Sequence, residues 1–156
     1  MATVADTSEA ELVAGLRRGE TRAFDLVYAR HRVRIYGFLL RLCGRRDVAD
    51  DLFQETFLQL ARHAKTLRPD TELGAFLYTV ARNRYRSHRR LSLFRFDRLR
   101  QLGAAAESNV STPFDSAAAS STAKRLEAGL QALSAPLREA IVLVAVEGVE
   151  LEAAAR

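Results

Sequence analysis

The spacing of apolar residues constrains this chain more than any other feature. They recur every three or four positions through Leu12, Leu16, Phe24, Val27, Ile35, Phe38, Leu39 and Leu42, then again through Leu52, Thr56, Leu60, Leu73, Leu77 and Val80. That period places them on one face of an α-helix, and no strand-length alternation bounded by turns competes with it. Only eight Gly and three Pro occur in 156 residues, so such helices have few places to stop. The expected fold class is all-α. At 48% hydrophobic residues the chain has enough apolar surface for a packed core.

The stops divide the chain. The first helix is expected from Ser8 to Arg18, with Ser8 and Glu11 at capping-box spacing and Gly19 ending it. A second is expected from a Thr21 cap to Cys43, ended by Gly44, and a third from an Asp47 cap to Ala64. A loop containing Lys65, Leu67, Arg68, Pro69 and Asp70 precedes a fourth helix from Thr71 to Arg90. Beyond Leu91 the pattern weakens; Leu91 to Leu102 is apolar and basic by turns and could continue the helix. Residues 103–124 include 14 Ala, Ser or Thr and read as a flexible linker. Helical spacing resumes at Arg125 with Leu126, Leu130 and Leu133, restarts at Ser134-Ala-Pro136 and breaks at Gly148. Glu150 onward reads as the opening of one more helix. The expected organisation is a helical bundle over 1–92, a linker over 93–124 and a second helical unit over 125–156.

The formal charge of +5 conceals three unlike surfaces. Residues 1–60 balance nine Arg against nine acids, residues 61–100 are net +8, and residues 101–156 are net −3. Concentrated arginine is the footprint of a polyanion, because neutralised phosphates release counterions. A solvated basic helix face would look the same from charge alone. On the fourth helix, Thr79, Arg82, Arg86, Arg89 and Arg90 fall opposite Phe76, with Asn83 at the border of that face and the core. Arginines a turn apart can follow a phosphate backbone, and an Asn amide both donates to and accepts from a base edge. Tyr85, Phe94 and Phe96 offer rings for stacking on unpaired bases, or else serve as packing contacts.

The third helix has the opposite character. Asp47, Asp50, Asp51, Gln54, Glu55 and Leu58 lie at offsets 0, 3, 4, 7, 8 and 11, one stripe at about 100° per residue. The stripe could be a solvated face, a divalent-cation site or a surface that docks a basic protein. Leu58 argues for docking, since a protein interface wants an apolar element. No His accompanies the acids, which speaks against a metal. Catalytic patterns are missing: no G-x-S-x-G elbow, no phosphate-cradling glycine loop, and His31, His63 and His88 fall on three different helices. The single Cys43 excludes an intrachain disulfide and a multi-cysteine zinc site, and reads as a packing residue. The expectation is a non-enzymatic, cytoplasmic protein with no cofactor, no signal peptide and no membrane insertion.

Three runs together resemble a known family. Asp47-Val-Ala-Asp-Asp-Leu-Phe-Gln-Glu-Thr-Phe57 resembles the D-x-E-D-x-x-Q-E-T/A-F helix of bacterial sigma-70-type factors. Gly74-Ala-Phe-Leu-Tyr-Thr-Val-Ala-Arg-Asn83 is similar to their W-L-x-x-I-A-x-N helix, with Phe76 in place of the usual Trp. Glu20-Thr-Arg-Ala-Phe24 resembles the opening of the small extracytoplasmic-function members, and Leu133 to Ile141 the opening of their second, helix-turn-helix domain.

The resemblance implies that Asp47, Asp50, Asp51, Gln54, Glu55 and Leu58 bind the clamp helices of the largest RNA polymerase subunit. It implies that the loop from Lys65 to Glu72, with Arg68 and Asp70, and the fourth helix open the promoter. Asn83 would sit beside a flipped non-template base of the minus-ten element, and Arg82, Arg86, Arg89 and Arg90 would hold strand phosphates. Leu67 stands where many members carry an aromatic. An anti-sigma protein is a further partner the resemblance suggests. The family's minus-thirty-five reader needs a recognition helix beyond the one starting at Glu150, and this sequence ends at Arg156, so an incomplete second domain is expected. Two other readings use the same residues: a polymerase-binding protein that does not initiate, and a metal-dependent nuclease using the acidic stripe.

Overall fold

A computed structural model describes residues 7–101, 121–146 and 148, and among them there is no strand. The helices in chain order are α1 (Glu9–Arg18), α2 (Thr21–Cys43), α3 (Arg46–His63), α4 (Leu73–Gln101), α5 (Ser121–Ala132) and α6 (Ala135–Ile141). A single 3-10 turn, Ala64–Thr66, follows α3, and a wider π-type segment, Val142–Val146, follows α6. Among the described residues no helix is long and apolar enough to cross a membrane.

Several helix ends have the chemistry their sequence implies. At α1 the Ser8 hydroxyl accepts from the Glu11 N–H at 3.3 Å, while the Glu11 carboxylate accepts from the Ser8 N–H at 2.9 Å. This reciprocal pair satisfies two N–H groups that a helix start leaves without partners. Gly19 (φ 78°) and Gly44 (φ 65°) close α1 and α2 in the left-handed region, which a Cβ disfavours.

Other ends differ from expectation. Glu20, not Thr21, occupies the cap position of α2 and makes no side-chain cap bond. Arg45 occupies that position in α3, so Asp47 lies inside the first turn. There its carboxylate takes both Arg45 nitrogens, at 3.1 and 2.5 Å. The first turn favours an acid in any case, because the helix dipole is positive at that end. Helix α4 starts at Leu73 and runs past both Arg90 and residue 92 to Gln101. Helix α5 opens at Ser121, ahead of Arg125. The core of the expected linker, 102–120, and the helix expected from Glu150 lie outside the described residues.

The core sits where α1 to α4 meet. Leu12, Val27, Ile35, Phe38, Leu39, Leu42, Leu60, Leu73 and Leu77 are all buried. Each such side chain contributes roughly 1.5–3 kcal/mol through area removed from water. Between α2 and α3 lies an aromatic cluster: Tyr28, Phe53 and Phe57 meet pairwise at centroid distances of 4.9 to 5.9 Å. Across the other side Phe38 packs edge-on against Tyr78 at 5.2 Å. The buried Thr56 returns its hydroxyl to the Leu52 carbonyl at 2.7 Å, so it carries no unmet polar group into the core. Leu67 is buried and anchors the loop before α4. Helix α1 reaches across to that point: the Glu9 carboxylate accepts from the Leu73 N–H at 2.6 Å.

The second helical unit is docked on the first. Leu130, Val142 and Leu143 are buried with the main core. Gln131 donates to the Arg41 carbonyl at 3.0 Å. The Arg138 guanidinium donates to the Leu42 carbonyl and to the Leu130 and Gln131 carbonyls, each at 2.8 Å, and to Leu133 at 3.1 Å. One side chain thereby satisfies carbonyls at the C-terminal ends of both α2 and α5.

Candidate nucleic-acid interface

Helix α3 turns its apolar residues into the bundle, which leaves the acidic stripe outward. Asp47, Asp50, Asp51 and Gln54 are exposed, and Leu58 is 49% exposed at the end of the stripe. The members are not equivalent. Arg45 holds the Asp47 carboxyl below its usual range. Burial, then a bond to Asp50, pushes the Tyr36 hydroxyl up. Glu55 is half-buried and faces α4: Gln59 donates to it at 2.9 Å, Arg62 at 3.1 Å, and Arg84 lies 3.7 Å away. These partners keep its carboxyl below the ordinary range, with Gln59 the largest cause. No group of three or more His, Cys, Asp or Glu among the described residues is placed to hold a metal ion.

The loop before α4 is a solvent-facing basic surface. Lys65, Arg68 and Asp70 are exposed, and Arg68 pairs with Asp70 through two bonds of 3.1 and 3.0 Å. So exposed a pair is worth little and leaves both groups accessible to a ligand. Glu72 and the Lys65 ammonium frame the same surface.

Along α4 the structure separates residues that the sequence grouped together. Asn83 is exposed, and Arg90 is exposed a little under two turns further on. Beside Asn83 a groove of about 340 Å³ opens between α3 and α4, lined by Gln59, His63, Phe76, Val80, Asn83, Arg84 and Ser87. It combines an apolar floor with amide, imidazole and guanidinium edges, the composition of a pocket that takes one flat polar ring.

Arg82 and Arg86 lie about 100° and 60° round the helix from Asn83, on the side of α6. Both guanidinium groups close on the carboxylate of Glu139 in α6: Arg82 through its Nε, and Arg86 at 2.9 and 3.2 Å. Glu139 is 5% exposed, and the Arg82 side chain keeps only 15% of its surface. Arg82 is therefore not the outward cation that helical spacing predicts, because α6 covers its side of α4. Arg89 is half-buried beside this junction, in a second pocket that also touches Cys43, Tyr85, Ala135 and Arg138. Tyr85 is 4% exposed and belongs to the core, so it offers no ring for stacking. Phe94 and Phe96, further along, are 64% and 45% exposed.

Sequence reasoning did not single out Glu139, Arg84, Gln59 or His63. For Glu139 a signal exists: it falls three and four residues before Val142 and Leu143, in register with an apolar stripe. For the other three the signal is the groove itself, which exists only once α3 lies against α4.

The Sigma-70 region 2 family pattern matches residues 27–92, a span that includes both the acidic face of α3 and the groove beside Asn83. The chain is 34% identical to the RNA polymerase sigma factor CarQ of Myxococcus xanthus over 140 residues, which is 87% of this chain and 76% of that protein. Its fold superposes on CnrH, solved in complex with the cytosolic domain of CnrY. The TM-score is 0.65 at 26% identity, covering 94% of this chain and 80% of that one. It also superposes on the sigma factor RpoE of Bartonella quintana, solved with the anti-sigma factor NepR. There the TM-score is 0.66 at 27% identity, covering 86% and 82%. The chain belongs to the sigma-70 family of RNA polymerase sigma factors, among its extracytoplasmic-function members.

Proposed function

We propose that this chain binds core RNA polymerase through the exposed stripe of α3 and directs recognition and melting of the minus-ten element through the loop 65–72 and the outward face of α4. The observation that carries this reading is the pairing of two unlike surfaces on adjacent helices. Asp50, Asp51, Gln54 and Leu58 are exposed, where a basic protein surface could meet them. On the adjacent helix Asn83 lines a groove of the right chemistry for one unstacked base, and Arg90 is exposed about two turns further along.

Melting in this scheme needs no cofactor and no bond-making by the chain. Unstacking a base costs a few kcal/mol, which the flipped base and the strand phosphates offset by binding. Asn83 reads the base edge, Lys65, Arg68, Arg89 and Arg90 neutralise phosphates, and Asp70 keeps the Arg68 fork oriented. Arg82 and Arg86 join them when they exchange the Glu139 carboxylate for phosphate. Polymerase supplies the chemistry of RNA synthesis, and the chain acts where polymerase acts, in the bacterial cytoplasm. The expected units remain a promoter-melting bundle, a linker and a helix-turn-helix opening. An anti-sigma partner is supported by the two solved relatives, each of which was captured with a second protein.

One observation favours the second reading, a polymerase-binding protein that does not initiate: two of the arginines needed for the strand are engaged with Glu139. Run-off transcription with purified core polymerase separates the two. Transcripts from a minus-ten-containing template that depend on this chain are the expected result. Core binding with no transcript would favour the second reading.

A further inference from the structure

Helix α4 is longer than the bundle it belongs to. From Leu91 to Arg98 every side chain is exposed, including Leu91 at 60%, Leu93 at 60%, Phe94 at 64% and Phe96 at 45%. Isolated apolar residues on a surface need no explanation, but two rings and two leucines within six positions form a patch. The surrounding charges say what kind of ligand suits it. Arg89, Arg90, Arg95 and Arg98 flank the rings, with Asp97 the one acid among residues 89–98. Rings interleaved with arginine suit single-stranded nucleic acid, whose bases stack on the rings while its phosphates meet the cations.

Helix geometry selects one ring. At about 100° per residue, Phe94 lies about 20° from the direction of Asn83, and Arg90 about 20° to the other side. Phe96 falls on the far side of the helix. At 1.5 Å per residue, Arg90 is about 10 Å and Phe94 about 16 Å along α4 from Asn83. Asn83 and Ser87, one turn apart, both line the groove between α3 and α4. A strand with one base at Asn83 therefore passes Arg90 before it meets Phe94. That distance spans about five nucleotides at 3.4 Å each, and fewer in a stretched strand.

We propose that Phe94 is a stacking platform for an unpaired base of single-stranded promoter DNA, extending the track set by Asn83 and Arg90. The proposal rests on the strand-binding reading above and adds a contact at the end of the helix. Phe94 is 64% exposed, so its removal should leave the bundle intact, and a thermal melt checks this.

The test uses holoenzyme assembled from core polymerase and the full chain, titrated with a fluorescein-labelled single-stranded oligonucleotide that carries a minus-ten element. Phe94→Ala should weaken binding about tenfold, the usual effect of removing one base-stacking ring. Phe94→Trp should bind at least as well as the wild type, and Phe94→Leu should bind like Phe94→Ala, because leucine is apolar without a π-face. Core affinity should be the same for all four chains. Three results would overturn the proposal: no loss in Phe94→Ala, a Phe94→Leu chain that binds like wild type, or a parallel fall in core affinity, which would make the patch a protein-docking surface. Asn83→Ala is run alongside. If it weakens binding while Phe94→Ala does not, the platform fails alone; if both are silent, the strand-binding reading fails with it.

Discussion

Helix α4 has two polar faces, and they have had different fates. On one, Arg82 has met a buried carboxylate and keeps little of its surface, and Arg86 shares that carboxylate while staying half exposed. On the other, Asn83 and Arg90 remain in solvent beside an open groove. The residue types hardly differ, and both faces lie on one helix within a few turns. The difference is what lies across from them: α6 on one side, solvent on the other. Position along a helix therefore says that an arginine points out of its own bundle, but not that it is available. Availability is a property of the whole chain.

The sharpest way to break this comparison is to remove one arginine from each face. Arg82→Ala strands a buried carboxylate with only Arg86 beside it, and breaking a buried pair from one side costs about 3 kcal/mol. Its thermal midpoint should fall by several degrees. Arg90→Ala is exposed and should leave the midpoint within about 0.5 kcal/mol of wild type, while reducing the salt dependence of strand binding by about one counterion. Equal melting of the two variants would mean that the faces do not differ.

Cys43 reports the same contrast through its thiol. Burial pushes its pKa up to about 12, and it lines the pocket against Ala135 and Arg138 of α6. A thiolate is the reactive form, so alkylation by iodoacetamide at neutral pH should be at least tenfold slower than for an unfolded control. Glu139→Ala removes both ion pairs between α6 and α4 and should raise that rate. An unchanged rate would show that the ion pairs are not what keeps α6 in place.

The smallest effect concerns the edge of the open face. Gln59, and then Arg62 and Arg84, keep the Glu55 carboxyl below its ordinary 4.5. In that direction the ionised form is favoured by the fold. Its contribution is complete above pH 4.5 and is lost as the pH falls through the lowered value. Thermal melts of wild type and Glu55→Gln should therefore differ by a constant offset above pH 4.5 and converge below it. An offset that grows with acidity would reverse the assignment.

How much of this was legible in the sequence depends on the range of the interaction. Local features were: the Ser8–Glu11 box, the left-handed Gly19 and Gly44, and the outward stripe of α3 are all settled within one or two turns of chain. The cap of α3 differs from expectation because Asp47, a good cap residue by type, sits within the first turn and takes the Arg45 fork two residues back. The extension of α4 is only half legible, because Leu91 to Gln101 has no single apolar face; its leucines and arginines are good helix formers without a core to face. The burial of Arg82 and Glu139 joins residues 57 apart in sequence, and periodicity carries no information at that range.

The most direct test of the account compares Asn83→Ala with Asp51→Arg in one experiment that measures core-polymerase affinity and minus-ten discrimination together. The account predicts a separation. Asn83→Ala should bind core like wild type and lose about 1–3 kcal/mol of discrimination at one position. Asp51→Arg should bind core about tenfold or more weakly, while discriminating normally once core is in excess. If Asn83→Ala lost core affinity in step with discrimination, the two surfaces would not be separate, and the assignment of the open face of α4 to the promoter strand would be wrong.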